Sequence, residues 1–365
     1  MKKGWKTELL GELCDVLDYK RKPITKRDRE AGEYPYYGAT GVLDNVAGYL
    51  FDEPLVLVGE DGAKWASGEN TAFAVEGKIW VNNHAHVLRP HRTVLVDDWL
   101  IYHLNHTELI EFVSGLTVPK LNQGRLREIP IPVPPLAEQQ RIVGLLDEAF
   151  VGIATAKANA EKNLQNARAL FDSHLQSVFT QRGPGWVEKK LEDSCEQIFA
   201  GGDVPKDRLS KERTPKFNVP IYSNGEKNDG LYGFTDVARV MKPSITVSAR
   251  GTLGFTAIRT EPFLPVVRLI VLIPDEKQIM LSFLYYAVVG MDFGNTGTSI
   301  PQLTVPNFKE SKLHVPSLQE QEAIVDKLDN LSRETQRLDS LYERKLAALE
   351  ALKKSLLHQA FSGEL

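Results

Sequence analysis

The feature that most restricts how this chain can fold is a duplication. Residues 134–147 (PPLAEQQRIVGLLD) lie against 316–329 (PSLQEQEAIVDKLD) at an offset of 182, with 8 of 14 positions identical. Chance would give about one identity, since each common residue fills under about a tenth of positions. The match extends both ways: 115–121 (GLTVPKL) pairs with 297–303 (GTSIPQL), Gly4-Trp5 with Gly185-Trp186, and Cys14 with Cys195. In the middle the offset drifts, to 189 where 56–62 meets 245–251 and to 184 where 99–102 meets 283–286. Two similar frames carrying different central loops suit two related but distinct recognition tasks.

Each copy has two parts. The first is a run of about 130 residues in which short apolar stretches are broken by Gly, Pro, Asn and Asp. Residues 55–58, 245–248 and 266–273 read as strands and 281–289 as a short helix, giving an α+β globule. The second part is a long helix. Pro135 and Pro316 suit a helix start, where an N–H is unsatisfied anyway, and Glu138 and Glu320 in the first turns complement the helix dipole. Apolar residues recur at helical spacing from Ile142, Leu145 and Leu146 to Leu175 and Val178, and from Ile324 and Leu328 to Leu352 and Leu356, with no proline between. Each helix spans about 40 residues, roughly 60 Å at 1.5 Å per residue.

A stripe of that length needs a partner, and the other copy supplies one. The expected fold is therefore α+β: two pseudo-two-fold-related domains, 1–134 and 184–315, separated by two long antiparallel helices, 135–183 and 316–365, that form a coiled coil. The first helix runs into Gly185-Trp186, whereas the second stops near Phe361 and its Gly-Trp counterpart is Gly4-Trp5. Neighbouring termini are expected on that account.

Composition excludes several classes. Of 365 residues, 42% are hydrophobic and 25% charged, the ordinary globular mix. No apolar run approaches the roughly 18 residues of a membrane span, and no apolar segment follows the basic start to make a signal peptide. Two cysteines give no disulfide framework and fit a reducing cytoplasm, as buried thiols. The net charge of 44 − 48 = −4 excludes a wholly basic nucleic-acid binder but permits local basic faces. Catalytic signatures are missing. Residues 59–64 (GEDGAK) have the wrong spacing for a P-loop, there is no Asn/Asp-Pro-Pro-aromatic tetrad, and the acids of 274–277 (PDEK) are adjacent rather than separated. His84, His86, His103 and His106 lack neighbours at metal-ligand spacing, so no metal or cofactor is expected.

Binding signals are richer. Lys20, Arg21, Lys22, Lys26 and Arg27 precede Tyr36 and Tyr37; Lys206, Arg208, Lys211 and Arg213 precede Tyr222. Such cations contact phosphates, while Asn, Gln, Ser and Arg read base edges in the major groove. The candidate readers are Lys64, Asn82, Asn83, His84 and His86 in the first copy and Asn224, Arg250, Thr252 and Arg268 in the second. Loops before the long helices add Lys120, Asn122, Gln123, Thr298, Ser299 and Gln302.

The paired Pro-x-Leu-x-Glu-Gln helix starts (134–139 and 316–321), the preceding VPKL and IPQL (118–121 and 300–303) and the two Gly-Trp pairs carry a resemblance. Over essentially its whole length the chain resembles the specificity (S) subunit of type I restriction–modification systems. The resemblance implies that each domain reads one half of a split double-stranded DNA target. It implies that the helices act as a spacer and dock two modification subunits, through Leu136, Glu138, Gln139 and Ile142 and through Leu318, Glu320, Gln321 and Ile324. S-adenosylmethionine and adenine methylation then belong to those partners, restriction/translocase subunits join for cleavage, and this cytoplasmic chain is not itself an enzyme. Two other classes compete: a coiled-coil scaffold with no DNA role, against which the matching basic clusters argue, and a stand-alone nuclease or methyltransferase with an unrecognised site.

If the helices act as a ruler, adding four residues between Lys157 and Asn163 lengthens the first by about one turn, roughly 6 Å. At about 3.4 Å per base pair the gap between half-sites grows by one or two pairs. Sequencing the sites methylated by the variant complex checks this; an active variant with the original gap refutes it.

Overall fold

The computed structural model describes residues 4–115, 117–181, 183–291, 293 and 303–365. The chain divides into two compact units, Met1–Glu161 with Glu343–Leu365 and Lys162–Tyr342. That division cuts both long helices, Leu136–Thr180 and Leu318–Ser362, at their middles. Each unit joins one α+β domain to half of each helix.

The two domains share the topology of their main sheet. In the first, an antiparallel sheet runs in the order Cys14–Val16, Ala85–Pro90, Leu55–Gly59, Ala72–Val75. In the second, the same order is Cys195–Ala200, Ile270–Pro274, Ser244–Val247, Thr256–Arg259. The central strand Leu55–Gly59 is buried along its whole length, as is Ile270–Pro274, which explains why both read as unbroken apolar runs. A second sheet in each domain holds a parallel pair, Ala31–Gly38 with Lys78–Val81 and Val219–Tyr222 with Leu264–Pro265. The drift in offset lies in the connections: 60–71 joins the same two strands in the first domain as 248–255 joins in the second.

The strand expected over 266–273 is shorter than its sequence suggests, starting at Ile270. Val267 and Arg268 adopt φ of 52° and 61°, and a left-handed pair cannot continue a strand.

Within each unit the half-helices run antiparallel. In the first, Lys157 pairs with Glu350 at 2.6 Å, Lys353 lies over the Phe150 ring, and Arg141 donates to the Leu365 carbonyl at 3.0 Å. In the second, Arg168 pairs with Asp339 at 3.0 Å, and Leu175 packs in one cluster with Leu328. The stripe is closed by small residues as well as large: Ala160 and Ala167 are buried with Leu146 and Leu175. The neighbouring termini are seen inside the first unit, where Trp5 and Phe361 both pack on Trp99, at ring separations of 5.6 and 4.7 Å. Trp186 and Phe179 treat Phe283 in the same way, at 6.1 and 5.5 Å.

Two repeated contacts lock each helix start to its domain. The Gln139 side chain is fully buried: its oxygen accepts from the Val96 N–H at 2.9 Å, and its amide donates to the Val94 and Pro134 carbonyls. Gln321 repeats this with the Met280 N–H at 2.8 Å and the Gln278 and Pro316 carbonyls. Val96 and Met280 are the N-caps of the short helices Asp97–His106 and Leu281–Val289, so each glutamine satisfies an N–H that such a terminus leaves without a partner. About two turns further along each long helix, Tyr102 hydroxyl bonds Asp147, and Tyr286 hydroxyl donates to Asp329 at 2.6 Å. Burial and then the carboxylate push both phenols above their ordinary range.

These contacts correct part of the docking expectation. Gln139, Gln321 and Ile142 are fully buried in their own units and have no surface to offer a partner. Ile324 packs against the second core, and Glu320 accepts from Trp186 Nε1 at 2.8 Å. Glu138 pairs with Arg141, Leu136 is half-buried, and Leu318 is exposed.

Replacing Gln321 by leucine leaves the Met280 N–H and two carbonyls buried without partners. At about 1–3 kcal/mol for a buried group left unsatisfied, the variant is expected to unfold at clearly lower denaturant, and Gln139→Leu likewise. An unchanged unfolding midpoint in both variants would remove the locking role.

Candidate nucleic-acid interface

In each domain three loops meet at one end of the sheets. In the first they are 38–41, 60–64 and 82–84: the Asn82 N–H donates to the Tyr37 carbonyl at 3.0 Å and the Glu60 N–H to the His84 carbonyl at 2.9 Å. In the second they are 223–225, 248–252 and 266–268. There the Asn224 oxygen accepts from the Ala249 N–H at 2.7 Å, its amide donates to the Val267 carbonyl at 2.6 Å, and the Gly225 N–H donates to Ser248 Oγ at 3.0 Å. The frame is shared; the side chains it presents are not.

Beneath the first loop set lies a charged network that the sequence does not reveal. His86 is fully buried, its Nδ1 2.6 Å from Asp18 Oδ2 and its Nε2 2.7 Å from the Leu121 carbonyl. Both ring nitrogens lie within hydrogen-bond distance of an oxygen. Arg21 bonds Glu60 and reaches Asp18 at 3.2 Å, Lys120 reaches the other Glu60 oxygen at 2.9 Å, and Gln123 donates to Asp18 at 3.1 Å. Burial works to raise the Asp18 pKa, but the bonds from His86, the Val87 N–H and Arg21 outweigh it and hold the carboxyl below its ordinary value. Asp18, Glu60 and His86 place one ligand atom each within 4.8 Å of the others, a donor set of the kind metals use. Here Arg21 and Lys120 bring the cationic charge to it.

Several expected DNA contacts are corrected by this placement. Arg21 and His86 belong to the network, not the surface. Tyr36 is buried, its hydroxyl accepting from the Ile24 N–H at 2.9 Å and its ring covered by Arg29. Asn82 is buried, its oxygen accepting from the His84 N–H at 2.8 Å. Asn224 is half-buried with both ends of its amide engaged. Each of these positions the loops instead of presenting a polar edge.

The remaining candidates divide by what they touch. Lys20, Lys22, Lys26 and Arg27 are exposed, Arg27 beside Asp28. Lys206 is exposed, whereas Arg208 pairs with Asp236 at 2.7 Å, Arg213 with Glu261 at 2.9 Å, and Lys211 lies 4.3 Å over the Tyr232 ring. Tyr37 packs on Phe73, and Tyr222 lies 3.7 Å under the buried Arg259. At the loop tips, Lys64, Asn83, His84, Asn122, Arg250, Thr252 and Arg268 are exposed. Lys64 lies 3.6 Å from Glu69, His84 bonds Asp61, and Asn122 donates to Ser114. Thr298, Ser299 and Gln302 lie outside the described residues. Asp61, which orients His84 and lies 3.8 Å from Lys120, was not foreseen; it corresponds to Arg250 at the offset of 189, so the repeat itself carried the signal.

Burial pushes the Cys14 thiol up to about 12 and the half-buried Cys195 likewise to about 12; both are free, as expected of unreactive thiols.

Comparison with known proteins agrees with this duplicated frame. The family model for the type I restriction modification DNA specificity domain matches twice, over residues 2–163 and 184–344. The chain belongs to that family. It is 30% identical over 330 residues to a protein of Mycoplasma pneumoniae named as a type I specificity subunit, covering 89% of each chain. It is 29% identical over 345 residues to a Haemophilus influenzae protein named as a type I restriction enzyme specificity subunit, covering 89% of this chain and 86% of that one. In fold it is similar to a chain solved in a study of complex assembly and conformational transition of the type I restriction–modification system. There the TM-score is 0.79 at 18% identity, with 100% of this chain and 99% of that one covered.

The network under the first loop set sets a pH dependence. A depressed carboxyl stabilises the fold above the unfolded carboxylate pKa of about 4 and loses that contribution as pH falls through the folded value. Asp18→Asn leaves Arg21 with Glu60 alone opposite it and takes the carboxylate away from His86 Nδ1, and is expected to lower stability at pH 7 by about 3–5 kcal/mol while flattening the acid limb of the stability profile. Parallel acid profiles for variant and parent would contradict it.

Proposed function

We propose that the two domains each read one part of a split double-stranded DNA target, as the recognition component of a type I restriction–modification assembly in the cytoplasm. The observation that carries this reading is the repeated loop frame with different residues at its tip: Asp61, Lys64, Asn83 and His84 on one copy, Arg250, Thr252 and Arg268 on the other. A shared frame with exchanged polar tips is what reading two different base sequences requires. The net charge of −4 fits a chain that shares its hold on DNA with partners.

The long helices are the docking surface for two modification subunits, with restriction/translocase subunits joining them. Val151 and Leu170 are more than 60% exposed, and Leu145, Leu341 and Leu352 are exposed as well; apolar residues left in water on a helix that already buries its inner stripe suit a second partner. The chain itself is not catalytic, and S-adenosylmethionine binds the modification partner. No helix among the described residues is long and apolar enough to cross a membrane.

Exchanging residues 185–315 for those of a related subunit is expected to change one half of the methylated motif and leave the other intact. A change in both halves, or in neither, ends the modular reading. The purified chain with DNA and S-adenosylmethionine is expected to methylate nothing, and Val151→Glu with Leu170→Glu to reduce co-purification of the modification subunit; methylation by the single chain would reverse the non-catalytic assignment.

A further inference from the structure

The turn 266–269 of the second domain is held more firmly than a surface turn needs. Val266 and Leu269 are buried anchors, and the Leu269 N–H closes the turn on the Val266 carbonyl at 3.0 Å. Val267 and Arg268 between them both have positive φ, 52° and 61°, as in a type I′ turn, whose central positions favour Asn and Gly. A β-branched residue there is a genuine outlier, and such a conformation persists only where its surroundings over-determine it.

Those surroundings are specific. The Val266 N–H donates to the Tyr222 carbonyl at 2.9 Å and the Val267 N–H to the Gly202 carbonyl at 2.8 Å. The Gly201 N–H donates to the Leu269 carbonyl at 2.8 Å, and Asn224 holds the Val267 carbonyl. A Cβ on Gly201 would come within 2.6 Å of the Pro265 carbonyl carbon, so the strand end must be glycine for the turn to sit where it does.

The residue so placed is an exposed cation. Arg208 and Arg213 pair with carboxylates, Arg239 stacks on Phe199, and Arg259 is buried over Tyr222. For Arg268 no hydrogen bond, ion pair or ring contact is found among the described residues. An arginine on a backbone fixed from several sides, with its fork unused, is prepared for a partner that demands exact orientation. A phosphate also accepts the fork bidentately, but it stands on the outside of the duplex with oxygens open to many approaches, so a mobile arginine serves it without a fixed backbone. A guanine edge demands it, because its O6 and N7 accept both arms of one guanidinium in the major groove.

We infer that Arg268 is a specificity-determining residue of the second domain, reading a guanine, with Asn224 and Gly201 as positioning residues. This rests on the DNA-reading role proposed above. The assembled complex, with its modification subunits, is prepared as parent, Arg268→Ala, Arg268→Lys and Gly201→Ala, and its methylated sites are sequenced. Complex formation is checked by co-purification, and DNA affinity is measured against salt.

Arg268→Ala is expected to lose discrimination about tenfold or more at one G·C pair of one half-site, leaving the other half-site unchanged. Arg268→Lys, which cannot form the bidentate pair, is expected to relax the same position. Gly201→Ala, with Arg268 still present, is expected to relax it too. If Arg268→Ala keeps the motif but binds all sequences more weakly, with a shallower salt slope, the residue contacts phosphate and the inference is overturned. It is overturned equally if the motif and affinity are unchanged in a complex that assembles. A parent complex that methylates no split motif would instead remove the DNA-reading role itself.

Discussion

A 45-residue helix with one apolar face cannot stand alone in water, and everything else in this chain follows from how that face is covered. Isolated helices gain little from propensity alone; their stability comes from packing. Here the first half of one long helix is covered by the last part of the other, and the second half by the other's beginning. The α+β domains then attach where each helix starts, through a buried glutamine and a tyrosine–aspartate bond. Removing the helix pairing would leave both domains without one wall of their cores: Ile142, Val143, Leu146, Leu357 and Ala360 all belong to the first domain's main cluster.

The two domains use this common support differently. On the first, acidic and imidazole groups reach the loop tips above a buried network of Asp18, Glu60, His86 and Arg21. On the second, the corresponding tips carry Arg250 and Arg268, and the polar group that organises them is a half-buried amide, Asn224. Charge and amide solve the same problem, holding three loops in register, with different sensitivity to acid. The first loses a counter-charge as Asp18 takes up a proton; the second has no titrating group in its clamp.

Much of the architecture was legible in the sequence because duplication repeats its evidence. The helix starts, the α+β character of each copy, the helix over 281–289 and the meeting of the termini each rest on motifs that occur twice. The interface was legible only as a list of residue types. Arg21, His86, Tyr36 and Asn82 look like surface polar groups in a linear reading, yet each finds a partner distant in sequence, and burial decides their role. Arg208 and Arg213 find theirs in Asp236 and Glu261. The left-handed pair at Val267 and Arg268 was invisible for a different reason: glycine and asparagine announce such turns, and neither stands there.

The helix pairing also bears on inheritance. The cross-helix ion pairs, Lys157 with Glu350 and Arg168 with Asp339, each draw one residue from the first repeat of the gene and one from the second. A recombination event that replaces one repeat wholesale exchanges a reading domain and, with it, one side of both pairs. The loop tips are then free to diversify, while positions 157, 168, 339 and 350 must stay compatible with whatever half arrives.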